Sequence, residues 1–445
     1  MPADLLPEFG PGKCSKYVAR LRKELYGRHN AARAFSRVIL IYLELPMDDP
    51  DIEIRIFTSD RCVFSVKWNG EFLIMLPHVD DGLQWYTDVS IRDEFNRRIS
   101  LKYIIEVTDD VDVYCGIEFR VDPTCQRLEL SQHRHLDMVL DLWGARDLRP
   151  AQMPQPGGQA AAAAATPWTG VTDPVACLDY ATFVGDTVWL TRTRPDIALA
   201  VSDLARHIRA PGPAQVHAAR HLPRFLKDTR DYRLTFDASD SNLTQGWDRR
   251  NKPIVEFDAG LPEPGSHGIT GVVAYLNGGP IPWLSRRQRS ISRSSCEAET
   301  NAGALATELS YGLQDLQSEV LECWGGPAML RGDCRGSQKQ IAKGTDKLSR
   351  SSYRSSFAYM EHGVTSGRTF LDQVPREHNS SDNMTQQGHP HGLWRTRPSR
   401  IVGTSPEVYV TGYIRDTLKE AAKISARVAA ATSHDPPPSS QSTTD

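Results

Sequence analysis

The chain has little net charge, no long apolar run and no closely paired cysteines, and each absence excludes a class of function. Its 52 basic and 55 acidic side chains leave a formal charge of −3. No global field therefore draws it to nucleic acid or an anionic membrane, and local basic runs must do that work if it is done. No apolar stretch approaches the ~20 residues that span a bilayer. The start, Met1-Pro2-Ala3-Asp4-Leu5-Leu6-Pro7, is acidic and proline-containing, unlike a secretory signal. An intracellular setting is expected on those grounds. The eight cysteines, at 14, 62, 115, 125, 177, 296, 323 and 334, include no C-x-x-C pair. That spacing indicates neither a zinc site nor a disulfide framework, and leaves reduced, mostly buried thiols. His78, His133, His135 and His362 also lack ligand spacing.

At 445 residues the length predicts two to four domains. Residues 18–45 read as helical at the start, and 54–130 as short strands and helices, with alternation such as Val63-Phe64-Ser65-Val66. From 151 to 172, prolines, Gly157-Gly158 and the alanines from Ala160 to Ala165 read as a linker; the alternative is a short helix, since alanine is the best helix former. Residues 173–240 read as mostly helical, with Val188, Leu190, Ile197, Leu199, Val201 and Leu204 as a buried face. Over 254–390 the pattern predicts a hairpin (254–285), a helix from Glu297 to Trp324, a strand at 329–332, a helix at 350–366 and a strand at 369–374. Such an order predicts an α/β (α+β) fold with a mixed sheet packed by helices. Residues 391–445 form an extension, rich in Pro, Ser and Thr and disordered from about 433.

Four acids stand out by position. Asp258 ends the apolar run Ile254-Val255-Glu256-Phe257, and Glu299 closes Ser294-Ser295-Cys296-Glu297-Ala298. Asp333 follows Met329-Leu330-Arg331-Gly332, and Asp382 comes late, after Val374-Pro375-Arg376. Strand acid, helix acid, strand acid and late acid is the order a nuclease needs if carboxylates converge on paired magnesium ions, and hard oxygen donors suit Mg²⁺. Any one alone reads as a solvated surface charge; the joint order lifts the reading. Nearby, Arg286, Arg287, Arg289 and Arg293 offer phosphate contacts. Trp283 offers either a stacking face for a base or a core residue.

At these residues the chain resembles the ribonuclease H domain of copia-type LTR retrotransposon Pol polyproteins. Residues 294–299 match the family's S-S-x-E-A-E, and Ile281-Pro282-Trp283-Leu284-Ser285 its I-x-W-x-S strand. The resemblance implies metal-ligand roles for Asp258, Glu299, Asp333 and Asp382 with Mg²⁺ or Mn²⁺, and Glu299 rather than Glu297 as the ligand. It implies an RNase H-like mixed sheet, and an RNA–DNA hybrid as partner. Upstream, Leu25-Tyr26-Gly27 and the hairpin around Val79-Asp80-Asp81 resemble the reverse transcriptase, while Thr193-Arg194-Pro195-Asp196-Ile197-Ala198 reproduces the family's T-R-P-D-I-A. The implied layout is a truncated palm and thumb region over 1–150, the linker, a helical connection over 173–240 and the nuclease over 254–390. The rest of a longer Pol polyprotein is a further implied partner.

Departures bear on activity. His78 stands where the family has the tyrosine of Y-V-D-D, and the palm's third carboxylate would precede Met1, so Asp80 and Asp81 are expected not to polymerise. After Asp258 the family's D-A-D-W-A-G becomes Asp258-Ala259-Gly260-Leu261-Pro262, and after Asp382 its L-T-K becomes Met384-Thr385-Gln386. Two readings stay open: an RNase H-type endonuclease, or a non-enzymatic relic that at most binds nucleic acid.

Overall fold

A computed structural model describes residues 51–385, except 79–80, 110, 125–126, 157–173, 238–242, 245–246, 249–251, 262–266, 277–278, 323–324, 335–340, 342–353 and 377–378. The expected helix over 18–45, the Leu25-Tyr26-Gly27 motif, most of the 151–172 linker and the extension from 391 lie outside the described residues. The chain divides into two units after Asp109. Among the described residues no helix is long and apolar enough to cross a membrane.

In the first unit four antiparallel strands pair in chain order: β1 (Glu53–Ile56), β2 (Phe64–Trp68), β3 (Glu71–His78) and β4 (Asp81–Tyr86). Side chains alternate across a strand, so one face of this sheet collects Phe64, Val66 and Leu73. That face is covered by Ile91, Phe95 and Ile99, one turn apart on α1 (Val89–Ser100). Asp88 caps α1, accepting from the Ser90 N–H at 2.8 Å.

The second unit opens with β5 (Val113–Tyr114), β6 (Ile117–Val121) and β7 (Arg127–Ser131), joined by β8 (Leu234–Asp237), which returns beside β7. Between β7 and β8 come α2 (His133–Leu142), α3 (Pro174–Leu190), a 3₁₀ turn (Pro195–Ile197), α4 (Ala198–Ala205) and α5 (Pro213–Asp228). They bury a shared core that includes Leu140, Phe183, Ile197, Val201, Leu222 and Phe225. The expected inward face holds for Leu190, Ile197, Leu199, Val201 and Leu204, but Val188 is 46% exposed. The inward stripe of α3 runs through Tyr180, Phe183, Val184 and Thr187, and Val188 lies off it.

The T-R-P-D-I-A stretch is structural. Pro195 opens the 3₁₀ turn, where its missing N–H is no loss. Buried Arg194 donates to both carboxylate oxygens of Asp196, at 2.9 and 2.7 Å, and to Thr229 O at 3.1 Å. The pair thus pins the turn to the end of α5.

After a short ladder of β9 (Leu243–Thr244) and β10 (Trp247–Asp248), five strands form a mixed sheet ordered β13–β12–β11–β14–β15. They are β11 (Ile254–Gly260), β12 (His267–Leu276), β13 (Gly279–Ile291), β14 (Ala328–Gly332) and β15 (Thr369–Gln373). The first three run antiparallel, whereas β14 and β15 run parallel to β11. Parallel pairing needs crossovers, supplied by α6 (Ser295–Leu321) and α7 (Arg354–Thr365). Ala298, Ala302 and Ala306, one per turn of α6, pack into the core with Val255, Phe257 and Ala259. Small residues bring the helix close: a Cβ on Gly303 would stand 2.4 Å from Met360 Cε and 3.1 Å from Phe257 Cε2. On the opposite face, a 3₁₀ turn (Ser380–Met384) presses onto β11 and β12. The close approach uses glycines, since a Cβ on Gly271 would lie 2.6 Å from Ser381 O.

Candidate metal centre

Strand register brings the first two acids together. Glu256 on β11 pairs with Arg331 on β14, and the strands are parallel. Two residues further on, Asp258 and Asp333 therefore stand side by side at the C-terminal ends of their strands. The start of α6 decides which glutamate joins them. Ser294 is the N-cap, accepting from the Glu297 N–H at 3.2 Å, and Glu297 accepts from the Arg293 N–H at 2.9 Å. Capping thus occupies Glu297. Glu299, further along the helix, is the one that reaches the strand acids, and the Ala259 backbone N–H donates to it.

Asp258, Glu299 and Asp333 each offer a carboxylate oxygen, and these oxygens all lie within 4.8 Å of one another. Asp258 is 2% and Glu299 7% exposed; Asp333 is half-buried. Burial pushes Asp258 up to about 7; the Asp382 and Asp333 carboxylates push the same way, while the hydrogen bond from Thr385 opposes them. Burial, then the charges of Asp258 and Asp333, hold Glu299 well above its ordinary value. Asp333 is also raised, by burial and by Asp382. Three acids in one buried corner resist joint ionisation without a counter-charge. Glu299 Oε2 has no hydrogen-bond partner among the described residues. An all-oxygen donor set with one unpartnered oxygen fits a hard divalent cation such as Mg²⁺ or Mn²⁺.

Asp382 is fully buried in the 3₁₀ turn, near enough for its charge to raise Asp258 and Asp333. It stands outside the trio that shares the 4.8 Å separation, and Arg376 Nε lies 3.4 Å from its Oδ1. The turn is fastened to β11: Asn379 Nδ2 donates to Phe257 O at 3.1 Å, and Thr385 Oγ1 donates to Asp258 Oδ2. Thr385 and Arg376 escaped the sequence reading. Neither has a periodicity or spacing that marks it; adjacency to Asp382 is the one signal.

The other expected site residues are dispersed. Asp81 is exposed and opens β4, paired with His78; Asp80 lies outside the described residues. Arg286, Arg287 and Arg289 are exposed on β13, an edge strand. Ser285 pairs with Gly271, which pairs with Asp258, so by alternation Arg287 shares Asp258's face of the sheet and Arg286 takes the other; the pairing of β13 with β12 is irregular just beyond Arg287, where Arg289 lies. Gln288 between them is buried, its amide donating to Thr270 Oγ1 at 3.0 Å and Ala298 O at 2.9 Å. Trp283 donates from Nε1 to Thr191 O at 3.0 Å and packs beside Ala198, Val273 and Met384.

A mixed sheet with acids on its central strand, its first crossover helix and the neighbouring parallel strand is an RNase H-like domain. The chain is similar in sequence to the retrovirus-related Pol polyproteins of copia-type retrotransposons. It is 27% identical over 305 residues to the retrovirus-related Pol polyprotein from transposon RE1 of Arabidopsis thaliana, covering 68% of this chain and 19% of that protein. It is 26% identical over 306 residues to the corresponding polyprotein from transposon TNT 1-94 of Nicotiana tabacum, covering 67% of this chain and 22% of that protein. The chain thus spans about a fifth of the length of the Pol polyproteins it matches. Among solved structures, LC11-RNase H1 isolated from compost is similar at a TM-score of 0.25 and 22% identity, over 30% of this chain and 93% of that one. No protein-family model matches the chain.

Proposed function

We propose that this chain is an RNase H-type endonuclease that hydrolyses the RNA strand of RNA–DNA hybrids with Mg²⁺ or Mn²⁺. The observation that carries the reading is the convergence of Asp258, Glu299 and Asp333 oxygens within 4.8 Å. Those three residues would hold the cations, with Asp382 as the fourth acid. When bound, paired divalent ions stabilise both the attacking and the leaving oxygen of a phosphodiester. The protein's own part is to hold the carboxylates in a dry corner, and to bind phosphates through Arg287 on the same face and Arg289 further along the edge strand. Arg286 serves the flanking backbone. Trp283 supports this edge from beneath, through its bond to Thr191.

The polymerase half is read as inactive. Asp81 is exposed, and among the described residues the acids at 258, 299 and 333 form the one cluster suited to a metal. A longer Pol polyprotein would supply the rest of a polymerase as partner. The competing reading, a relic that at most binds nucleic acid, draws on Arg376 facing Asp382 at 3.4 Å.

A labelled RNA–DNA hybrid tests the proposal. Purified chain is expected to cut the RNA strand in Mg²⁺ or Mn²⁺, and Asp258→Asn or Glu299→Gln to abolish cutting. Duplex DNA should stay intact, because the 2′-hydroxyl distinguishes the strands, and primer extension on poly-rA should give no product. A folded preparation that cuts no hybrid in either metal, or an Asp258→Asn variant that cuts equally well, leaves the relic reading.

A further inference from the structure

Beside the metal centre lies a second set of charges that metal binding does not use. Glu256, Arg331 and Asp372 occupy neighbouring strands β11, β14 and β15 in register, Glu256 beside Arg331 and Arg331 beside Asp372. All three are buried, at 5%, 7% and 1% exposure. Arg331 Nη1 donates to Glu256 Oε1 at 3.0 Å, and its Nε donates to Asp372 Oδ2 at 3.2 Å. The remaining oxygen of Glu256, Oε2, accepts the backbone N–H of Ser380 at 2.8 Å. Ser380 is the first residue of the 3₁₀ turn that carries Asp382, and Thr385, which bonds Asp258, follows directly.

A buried ion triad is weak support for stability, because desolvation offsets the attraction and apolar residues of similar volume often serve as well. Its directional bonds, by contrast, hold one backbone amide at one place. Arg331 fixes the Glu256 carboxylate by one oxygen, which leaves the other aimed at Ser380, and Asp372 fixes Arg331 from the far side. We infer that Glu256, Arg331 and Asp372 are positioning residues: a buried tether that sets the Ser380–Thr385 segment, and through it Asp382 and the Thr385 bond to Asp258, for divalent-metal binding. The inference rests on the reading of the acids as a metal centre. Partners that orient ligands typically change metal affinity 10–100-fold when mutated.

The test uses the full chain and Mn²⁺ alone, titrated by the electron paramagnetic resonance signal of the free ion, with hydrogen exchange of the Ser380–Thr385 amides as a second readout. Glu256→Gln cannot accept from both Arg331 and Ser380 in the same way. It is expected to weaken Mn²⁺ binding about 10–100-fold and to speed exchange in that segment. Asp372→Asn disturbs Arg331 but leaves the Ser380 acceptor in place, and is expected to weaken Mn²⁺ binding less than Glu256→Gln does. If Glu256→Gln does not fold, Glu256→Leu with Arg331→Met and Asp372→Leu fills the same volume without the tether and must show the same losses. Mn²⁺ affinity and exchange that match wild type in the tether-free protein overturn the inference. So does a loss of affinity that follows stability equally in Glu256→Gln and Asp372→Asn. A wild-type chain without saturable Mn²⁺ binding overturns the metal reading instead; unchanged exchange in Glu256→Gln then overturns the tether, and faster exchange upholds its hold on the segment.

Discussion

Asp258→Asn separates the energetic role of the buried acids from the metal chemistry proposed for them. In the metal-free protein, burial and neighbouring acids raise Asp258 from 3.8 to about 7. The folded state therefore keeps a proton that the unfolded chain has released between about pH 4 and 7. Where the folded state holds more protons, stability falls as pH rises. The stability contributed by the protonated side chain is thus full below about pH 4 and lost by the time the pH passes about 7. The loss amounts to about 4 kcal/mol at 1.36 kcal/mol per pH unit of separation. Asparagine keeps the shape and can still accept from Thr385 Oγ1, but it has no proton to lose. In EDTA at pH 8 the variant is expected to be more stable than wild type by several kcal/mol, with the gap closing toward pH 4.

Divalent cation narrows the gap. Saturating Mg²⁺ at a hundredfold excess over Kd stabilises a binding-competent fold by about 2.7 kcal/mol, and the variant lacks a carboxylate to share. Urea unfolding followed by tryptophan fluorescence, at pH 4.5, 6 and 8 in EDTA and in Mg²⁺, measures both effects. An Asn variant less stable than wild type at pH 8 in EDTA would refute the electrostatic account. Equal stabilisation of both proteins by Mg²⁺ would refute the ligand role.

The sequence carried the acids of the centre but not the surroundings that give them their energies. Asp258 and Asp333 were legible because each ends an apolar run, which places it at the end of a buried strand. Glu299 was legible over Glu297 from the family motif; the physical reason, that an N-cap serine engages the glutamate three residues on, emerges at the helix start. Asp382 sits in Asn379-Ser380-Ser381-Asp382-Asn383, a polar string that reads as a surface loop. Its burial depends on partners more than a hundred residues away, Phe257 O and the Glu256 carboxylate, which no local pattern announces. Trp283 was ambiguous for a related reason: an amphipathic ring serves a base or a core equally well, and the deciding contact, Thr191 O, comes from another part of the unit. Val188 failed the helical-face reading because an apolar residue adjoining a stripe satisfies periodicity almost as well as one within it.

Two perturbations probe the packing that supports the centre. Asp196→Ala strands the Arg194 charge at 3% exposure, and is expected to cost about 3–5 kcal/mol, read as a lower urea midpoint; a neutral result would mean that Thr229 alone satisfies the guanidinium. Gly271→Ala tests whether the turn carrying Asp382 must lie flat on the sheet. Its new Cβ would stand 2.6 Å from Met384 Cβ and Ser381 O and 2.7 Å from Thr385 Cγ2, so the turn must lift. Overpacking of this kind costs about 1–3 kcal/mol, and lifting the turn should weaken Mn²⁺ binding as well. Gly185→Ala is the matched control, since nothing lies within 4 Å of its added Cβ and a helix interior favours alanine by about 0.5–1 kcal/mol. If Gly271→Ala proves as stable as Gly185→Ala and binds Mn²⁺ like wild type, the turn is not held against β12, and the close approach that places Thr385 on Asp258 loses its support.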